Sequence, residues 1–557
     1  MMKDQVALLL LLSGLGLQAQ NSLYIPPVLT GASIDLTVDE GTHEFYPGMP
    51  APTIGYNGDL LGPTLFLASG SQVQFTVQND LDDTTTVHWH GLHVAPQNDG
   101  GPHSAILPGG TWSPSFTIMD KAGTYWYHPH PHGKTMEQVL KGAAGMIIVG
   151  DAEEAMLPLP RTYGVDDIPL VLQFKGIDAQ GQLIMNDEVD NEVLVNGSIL
   201  PDAELPAQVV RLRLLNGSSM RTFRLGTTAG VPMQMIASDA GLLDAPLSLN
   251  RLDLSPGERA EVLLDLSGMN GTSFQLMSYG NELPQGVMGG PPGMMLPAAP
   301  VDNTTLTLLN VNVIAPTPDA VTVIPPQLTT NVAWDEADAN QTINLSLMSL
   351  PMMGNNWFIN SLKYDMMRID ETVQLGSTVV WNISNNSMMA HPIHIHGGHF
   401  YILEKDGAPP PPQEAGRKDV VLVEAMRTAK VIMKYEDFSD PVVPYMYHCH
   451  ILSHEDDGMM GQFLVEDGTN GMSELEQEGG LVLYPNPVQA GELTMTLQAG
   501  SIRSVRVLDP LGKLVLERNP NAAGPVRLDL GGFAPGLYIV RIAGTDGGQV
   551  ARPILIQ

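Results

Sequence analysis

The run Tyr447-His448-Cys449-His450, continuing through His454 to Met459, holds the only cysteine in a chain of 557 residues. The β-prone and apolar residues before it, Val442, Val443, Tyr445, Met446 and Tyr447, predict a strand. Alternate side chains of a strand face opposite ways, so His448 and His450 share one face and Cys449 takes the other. A thiolate on one side and two imidazoles on the other suit a strand that holds metal on both faces, with its backbone as the connection.

Histidine occurs 15 times, and random placement gives roughly 0.4 His-x-His patterns. The sequence has five, at 88/90, 128/130, 130/132, 394/396 and 448/450. No histidine lies between His132 and His391, so the residues between them offer no imidazole and read as spacer and scaffold. Neutral imidazole is a strong ligand for copper, zinc and iron. One thiolate, two imidazoles and a weak thioether describe a blue-copper electron-transfer site. The spacing of Cys449, His454 and Met459 lets a loop return its ligands to one ion, and His391 supplies the second imidazole.

The four clusters are Val87-His88-Trp89-His90-Gly91, Tyr127-His128-Pro129-His130-Pro131-His132-Gly133, His391-Pro392-Ile393-His394-Ile395-His396-Gly397, and His448-Cys449-His450 with His454 and Met459. They closely resemble the multicopper oxidases, in family order, over residues from about 21 to 468. The resemblance implies four copper ions: one type 1, one type 2 and two type 3. By position, type 1 matches His391, Cys449, His454 and axial Met459, and type 2 matches His88 and His394. The type 3 pair matches His90, His128, His450 and His130, His396, His448, so the first and third domains should meet around the trinuclear site. The activity implied is one-electron oxidation of a reductant, repeated four times and coupled to reduction of O2 to water. Asp99 and Glu455 match acidic residues of the family that serve the proton demand of that reaction. The remaining histidines, His43, His93, His103, His132 and His399, are expected to orient ligands or to lie at the surface.

The reductant is read from the methionines, of which there are 30. Met288, Met294 and Met295 sit in a Gly/Pro loop; Met348, Met352, Met353, Met366, Met367, Met388 and Met389 surround the third motif. Thioethers suit Cu(I), and Met389 stands two residues before His391. The pattern is similar to bacterial cuprous oxidases of copper tolerance. It departs from them in lacking a long Met/His-rich insert and in having Ser387 where they carry an acidic residue. A laccase-like oxidase of phenolic or aromatic donors is the alternative. A copper-binding or structural cupredoxin protein without catalysis is the alternative of another class: a structural relative should have lost ligands that this sequence keeps, and a copper carrier would not need a trinuclear site.

These residues need elements to position them. The length suggests three or four domains of roughly 100 to 150 residues. Gly 57, Pro 44 and many short β-prone runs favour an all-β chain. Three segments share one grammar, a short turn followed by an alternating strand ending in asparagine. They are Tyr56-Asn57-Gly58 with Val73, Phe75, Val77, Asn79; Val195-Asn196-Gly197 with Val210, Leu212, Leu214, Asn216; and Ile359-Asn360-Ser361 with Val379, Trp381, Ile383, Asn385. Three consecutive cupredoxin-like β-sandwich domains are therefore expected at 21–150, 160–315 and 335–468, with linkers at Leu157 to Pro160 and Pro316 to Pro326.

A small C-terminal β-sandwich is expected at 481–557. Its Tyr484-Pro485-Asn486-Pro487 opening and Gly536-Leu537-Tyr538 resemble the sorting domain of the bacterial type IX secretion system, with a generic adhesive or carbohydrate-binding module as the alternative. Lys3 before the apolar run Val6 to Leu12 predicts a signal peptide over 1–19. Together these imply an exported protein, periplasmic in transit and then secreted or displayed on a Gram-negative cell, with the secretion machinery as a partner. No stretch after the signal has the roughly 18 uninterrupted apolar residues of a membrane anchor. A net charge of −33 disfavours nucleic acid as a partner and is read as a solvated acidic surface.

Overall fold

The structure is a computed structural model that describes residues 21–292, 298–350, 356–467, 481–488, 491–497, 501–509, 513–544 and 549–556. The expected signal at 1–19 lies outside these, as do Met294, Met295, Met352 and Met353. Strands dominate, and the few helices are short. Up to residue 466 the sheets come in three successive pairs.

In the first pair, one sheet runs in the order Val28–Thr30, Thr64–Ala68, Gly145–Gly150, Gly123–His128, His88–His90. The other is built on Met49–Tyr56, Ser33–Tyr46 and Gln72–Asn79. Leu36, Phe75 and Val77 from one sheet and Leu65, Trp89, Tyr127 and Ile147 from the other share a single buried core. The second pair is a seven-stranded and a five-stranded sheet between Asp167 and Ile314, closed over Leu170, Leu212, Phe223, Val262 and Val311. In the third, His391–Ile395 lies between Val420–Val423 and Asp440–Cys449.

The repeated grammar has one physical meaning at all three places. Asn57, Asn196 and Asn360 have φ of 55°, 50° and 53°, a left-handed turn that asparagine tolerates. Each carbonyl accepts from a backbone N–H: Thr37 at 2.6 Å, Val171 at 2.7 Å and Ser346 at 2.8 Å. The strand-ending asparagines are buried, and each amide donates to backbone carbonyls of the loop that follows or of a neighbouring strand. Asn79 reaches Asp83 and Ile106, Asn216 reaches Arg221 and Leu254, and Asn385 reaches Met389 and Val423.

Alternation fails in several strands, among them Asp167–Lys175 and one of the three repeats. Val209–Asn216 is buried on both faces, because Arg211 and Arg213 pair with Glu154, Asp167 and Glu261 instead of meeting solvent.

The chain divides into two compact units, one of Met1–Glu371, Thr378–Lys434 and Tyr445–Phe463, the other of Thr372–Ser377, Tyr435–Pro444 and Leu464–Gln557. The second contains a three-stranded sheet (Leu481–Tyr484, Glu492–Leu497, Val526–Asp529) and a four-stranded one (Leu514–Arg518, Ile502–Leu508, Gly536–Gly544, Gln549–Ile556). Leu493, Val505, Val507, Leu528, Val540 and Ile542 form their common core. Among the described residues no helix is long and apolar enough to cross a membrane.

Candidate metal centre

Strand register brings the histidines together. His88 pairs opposite His128, and Ile393 and His394 pair opposite Cys449 and His448. The chain then turns out of Asp440–Cys449 into the short helix Leu452–Asp456, which carries His454 and Glu455. The Leu452 N–H donates to the Ser219 carbonyl at 2.8 Å and fixes that helix at its start. His88, His90, His128, His130, His391, His394, His396, His448, Cys449, His450, His454 and Met459 are all buried.

One cluster gathers around the cysteine. Sγ of Cys449 lies 3.5 Å from Nδ1 of His391 and 3.7 Å from Nδ1 of His454. Nε2 of His391 meets the Ser387 hydroxyl at 2.8 Å, and that hydroxyl can donate onward to the Met389 carbonyl, leaving Nδ1 free to bind a cation. Met459 is tied to this loop through its backbone: its N–H donates to His454 O at 2.8 Å, and its carbonyl accepts from Cys449 N at 3.0 Å. Trp357 stacks on His454 with ring centroids 3.7 Å apart. Burial pushes the Cys449 thiol up, and a bound cation is what would stabilise its thiolate.

The second cluster is a knot of imidazoles. Nε2 of His88 and His394 are 3.4 Å apart, Nε2 of His130 and His448 are 3.2 Å apart, and so are those of His396 and His448. Nδ1 of His90 is 3.4 Å from Nε2 of His128. Nδ1 of His88, His394, His128 and His448 face the carbonyls of Asp99, Asp419, Pro129 and Cys449. A carbonyl only accepts, so those Nδ1 atoms carry the protons and their Nε2 atoms present lone pairs. Burial holds His88 and His394 well below the usual imidazole range and takes His128 and His448 to about 3, so all stay neutral. Lone pair against lone pair at 3.4 Å between His88 and His394 is repulsive unless a cation sits between them. The donor set thus fits metal on chemical grounds. His450 packs beside His90 and His128, with ring centroids 5.0 and 5.5 Å away, and both of its nitrogens lack a hydrogen-bond partner among the described residues.

Both acidic candidates touch this knot. Asp99 accepts from Nδ1 of His396 at 2.7 Å, and burial lifts its carboxyl to about 6. Glu455 accepts from the Thr135 hydroxyl at 2.6 Å and stands 3.3 Å from Nδ1 of both His130 and His448. Burial, with Asp456 beside it, raises Glu455 well above the carboxylate range.

The remaining histidines lie outside both clusters. His43 meets Gly197 O, His93 meets Gly397 O, His103 meets Gln462, His132 packs on Tyr364 and His399 on Trp334. Trp357, Asp419 and Arg259 are the neighbours that sequence reasoning missed. Oδ1 of Asp419 is 3.1 Å from Nε2 of His90. Neither Asp419 nor Arg259 belongs to a repeated motif; the only signal was a charged pair, Lys418-Asp419, directly before the apolar run Val420–Val423.

Comparison with known proteins places these features in a wider group. The family model described as multicopper oxidase matches residues 37–154 and, in a second form, 336–469; a secretion system C-terminal sorting domain matches 482–557. A multicopper oxidase of Staphylococcus haemolyticus is 34% identical over 465 residues, 80% of this chain and 93% of its own. The cell division protein FtsP of Escherichia coli is 32% identical over 454 residues, 80% and 93% of the two chains. Among solved structures, a laccase-like multi-copper oxidase from Ochrobactrum sp., described with activity towards lignin model compounds and lignosulfonate, is 35% identical. Its TM-score is 0.72, covering 80% of this chain and 100% of that one.

Proposed function

The chain belongs to the multicopper oxidases, and on that premise we propose that it couples four one-electron oxidations of an external reductant to the reduction of O2 to water, using four copper ions. When bound, copper supplies one-electron chemistry beside Cys449 and multi-electron reduction of dioxygen within the histidine knot. His391, Cys449, His454 and Met459 are the proposed type 1 ligands, His88 and His394 the type 2 ligands, and His90, His128, His450 with His130, His396, His448 the type 3 ligands. The observation that carries this reading is the set of opposed neutral imidazole nitrogens at 3.2 to 3.4 Å. One of them, His448, is joined by a peptide bond to Cys449, which faces two further imidazoles.

The chain's own residues divide the work. Cys449 joins His448 and His450 through two peptide bonds, a covalent route between the clusters. Asp99 and Glu455 adjoin the proposed cluster, and burial raises the proton affinity of both carboxyls, which suits them to supply protons there.

Cu(I) is the proposed reductant. Met388 and Met426 are exposed thioethers, and Met426 N–H donates to the carbonyl of Ser387, whose hydroxyl meets His391. Soft sulfur at the solvent end of that contact favours a cuprous ion. A second reading, aromatic donors, is favoured by the half-buried Trp357 stacked on His454. A structural role without catalysis fits neither cluster. The sorting domain supports secretion, and the proposed route is type IX export across the outer membrane of a Gram-negative cell.

Metal analysis and oxygen uptake test the proposal. About four coppers per chain with blue absorption is expected, with O2 consumed faster on Cu(I) than on a phenol. Copper-free protein would overturn the oxidase, and strong phenol turnover without added copper would replace the cuprous donor.

A further inference from the structure

The middle segment carries no histidine, yet it reaches the knot. A Cβ added at Gly257, whose φ is +84°, would come within 3.0 Å of the His450 ring, so this loop lies directly on a candidate ligand. Two residues on, the guanidinium of Arg259 grips Asp419 from both nitrogens, at 2.6 and 2.5 Å. Both residues are fully buried.

His90 is oriented unlike its neighbours. His88, His128, His394, His396 and His448 turn Nδ1 outward to an oxygen and Nε2 inward. His90 does the reverse: Nε2 faces Asp419 at 3.1 Å and Nδ1 faces the cluster. Neutral imidazole has one N–H, and the partner of one nitrogen decides which nitrogen is left for a metal. An acceptor on Nε2 is therefore the condition for Nδ1 to present its lone pair. The same Asp419 uses its backbone carbonyl to accept from His394 Nδ1 at 2.7 Å, so one residue sets two rings.

Asp419 is itself held rigidly. Arg259 is fixed by the Thr124, Gly257 and Asp239 carbonyls at 3.0, 2.9 and 2.7 Å, and its backbone N–H donates to the Asp239 carboxylate at 2.8 Å. Lys418 bridges Asp239 and Glu258 at 2.9 and 2.6 Å. A Cβ at position 91 would fall 2.3 Å from Oδ2 of Asp419 and 2.8 Å from Arg259, so the glycine after His90 makes room for this pair.

We propose that Arg259 and Asp419 are positioning residues that fix His90 with Nδ1 toward the trinuclear site, so that the ligand-free middle segment governs copper loading there. The inference rests on the copper reading above. Its first test needs no metal: in apoprotein labelled with 15N-histidine and assigned with His90→Gln, the His90 proton should reside on Nε2. A proton on Nδ1 would overturn the proposal. In copper-loaded protein, Asp419→Ala should lose the signature of coupled type 3 copper and bind fewer coppers per chain while the blue band persists. Asp419→Asn, which keeps an acceptor oxygen, should restore part of that loss. An Ala variant with the full trinuclear signature would overturn the proposal. So would an Asn variant that folds, keeps the blue band and rescues nothing. Copper-free wild type would defeat the oxidase reading, and the apoprotein measurement would still decide the orientation of His90.

Discussion

Glu455 shows how much a single side chain is asked to do. Its carboxyl lies within 3.3 Å of two cluster imidazoles and is held by Thr135, so Glu455→Gln preserves shape while replacing the titratable carboxyl with an amide that cannot act as an acid. Turnover should fall about 100-fold, the lower end of general acid catalysis, with blue absorption unchanged. Stopped-flow reoxidation by O2 checks this, and wild-type turnover would reject the role. Met459 belongs to the other cluster. It is fully buried on the loop that returns to Cys449, and in its proposed role of weak axial thioether it should hold the potential down. Met459→Leu should raise the type 1 potential in a redox titration; a lowered value would remove Met459 from the ligand set. The histidines, Cys449 and Met459 were legible as a candidate site because imidazole, thiol and thioether at such spacing have few other uses, whereas Glu455 was read only from the family resemblance. Asp419, Arg259 and Trp357 were not legible. A charged residue in a β-rich sequence reads as surface by default, and only the fold brings Arg259 to a carboxylate partner 160 positions away in sequence. Trp357 stacks on His454, which sits on a short helix much later in the chain, a contact no local pattern encodes.

At the scale of the element, the sequence carried more than alternation. The two asparagines of each repeat act as backbone substitutes, one shaping a left-handed turn and the other tying off the strand that leads to the next loop. In the third repeat that tie touches the metal site. Asn385 donates to Met389 O, accepts from the Ser387 N–H, and so fixes the turn whose hydroxyl meets His391. Asn385→Ala would leave buried carbonyls without donors, at a cost of about 3 kcal/mol. Asn382→Ala, on the same strand but bonded to Asn344 in an exposed pair, should cost well under 1 kcal/mol. Denaturant midpoints of the two variants check the contrast, and equal losses would show that the repeat is ornament rather than support. The strand Val209–Asn216 marks where pattern reading stopped. Alternation placed its arginines outside, whereas buried carboxylates from other strands keep them in.

Across the whole molecule, chemistry and transport occupy separate stretches of chain. Every residue of both candidate metal clusters lies in the first compact unit, whose last segment ends at Phe463, while the sorting domain is a pair of sheets from Leu481 onward with its own core. Deleting residues 481–557 should therefore leave copper content and blue absorption at wild-type levels while stopping the protein short of the medium or the cell surface. Fractionation with metal analysis reads both at once. In the full-length chain, intact-mass measurement of protein collected outside the cell should find the sorting domain absent or replaced by an anchor. A secreted mature protein that keeps its C-terminus would assign those sheets to adhesion instead. Loss of copper on deletion would mean that they also support the oxidase.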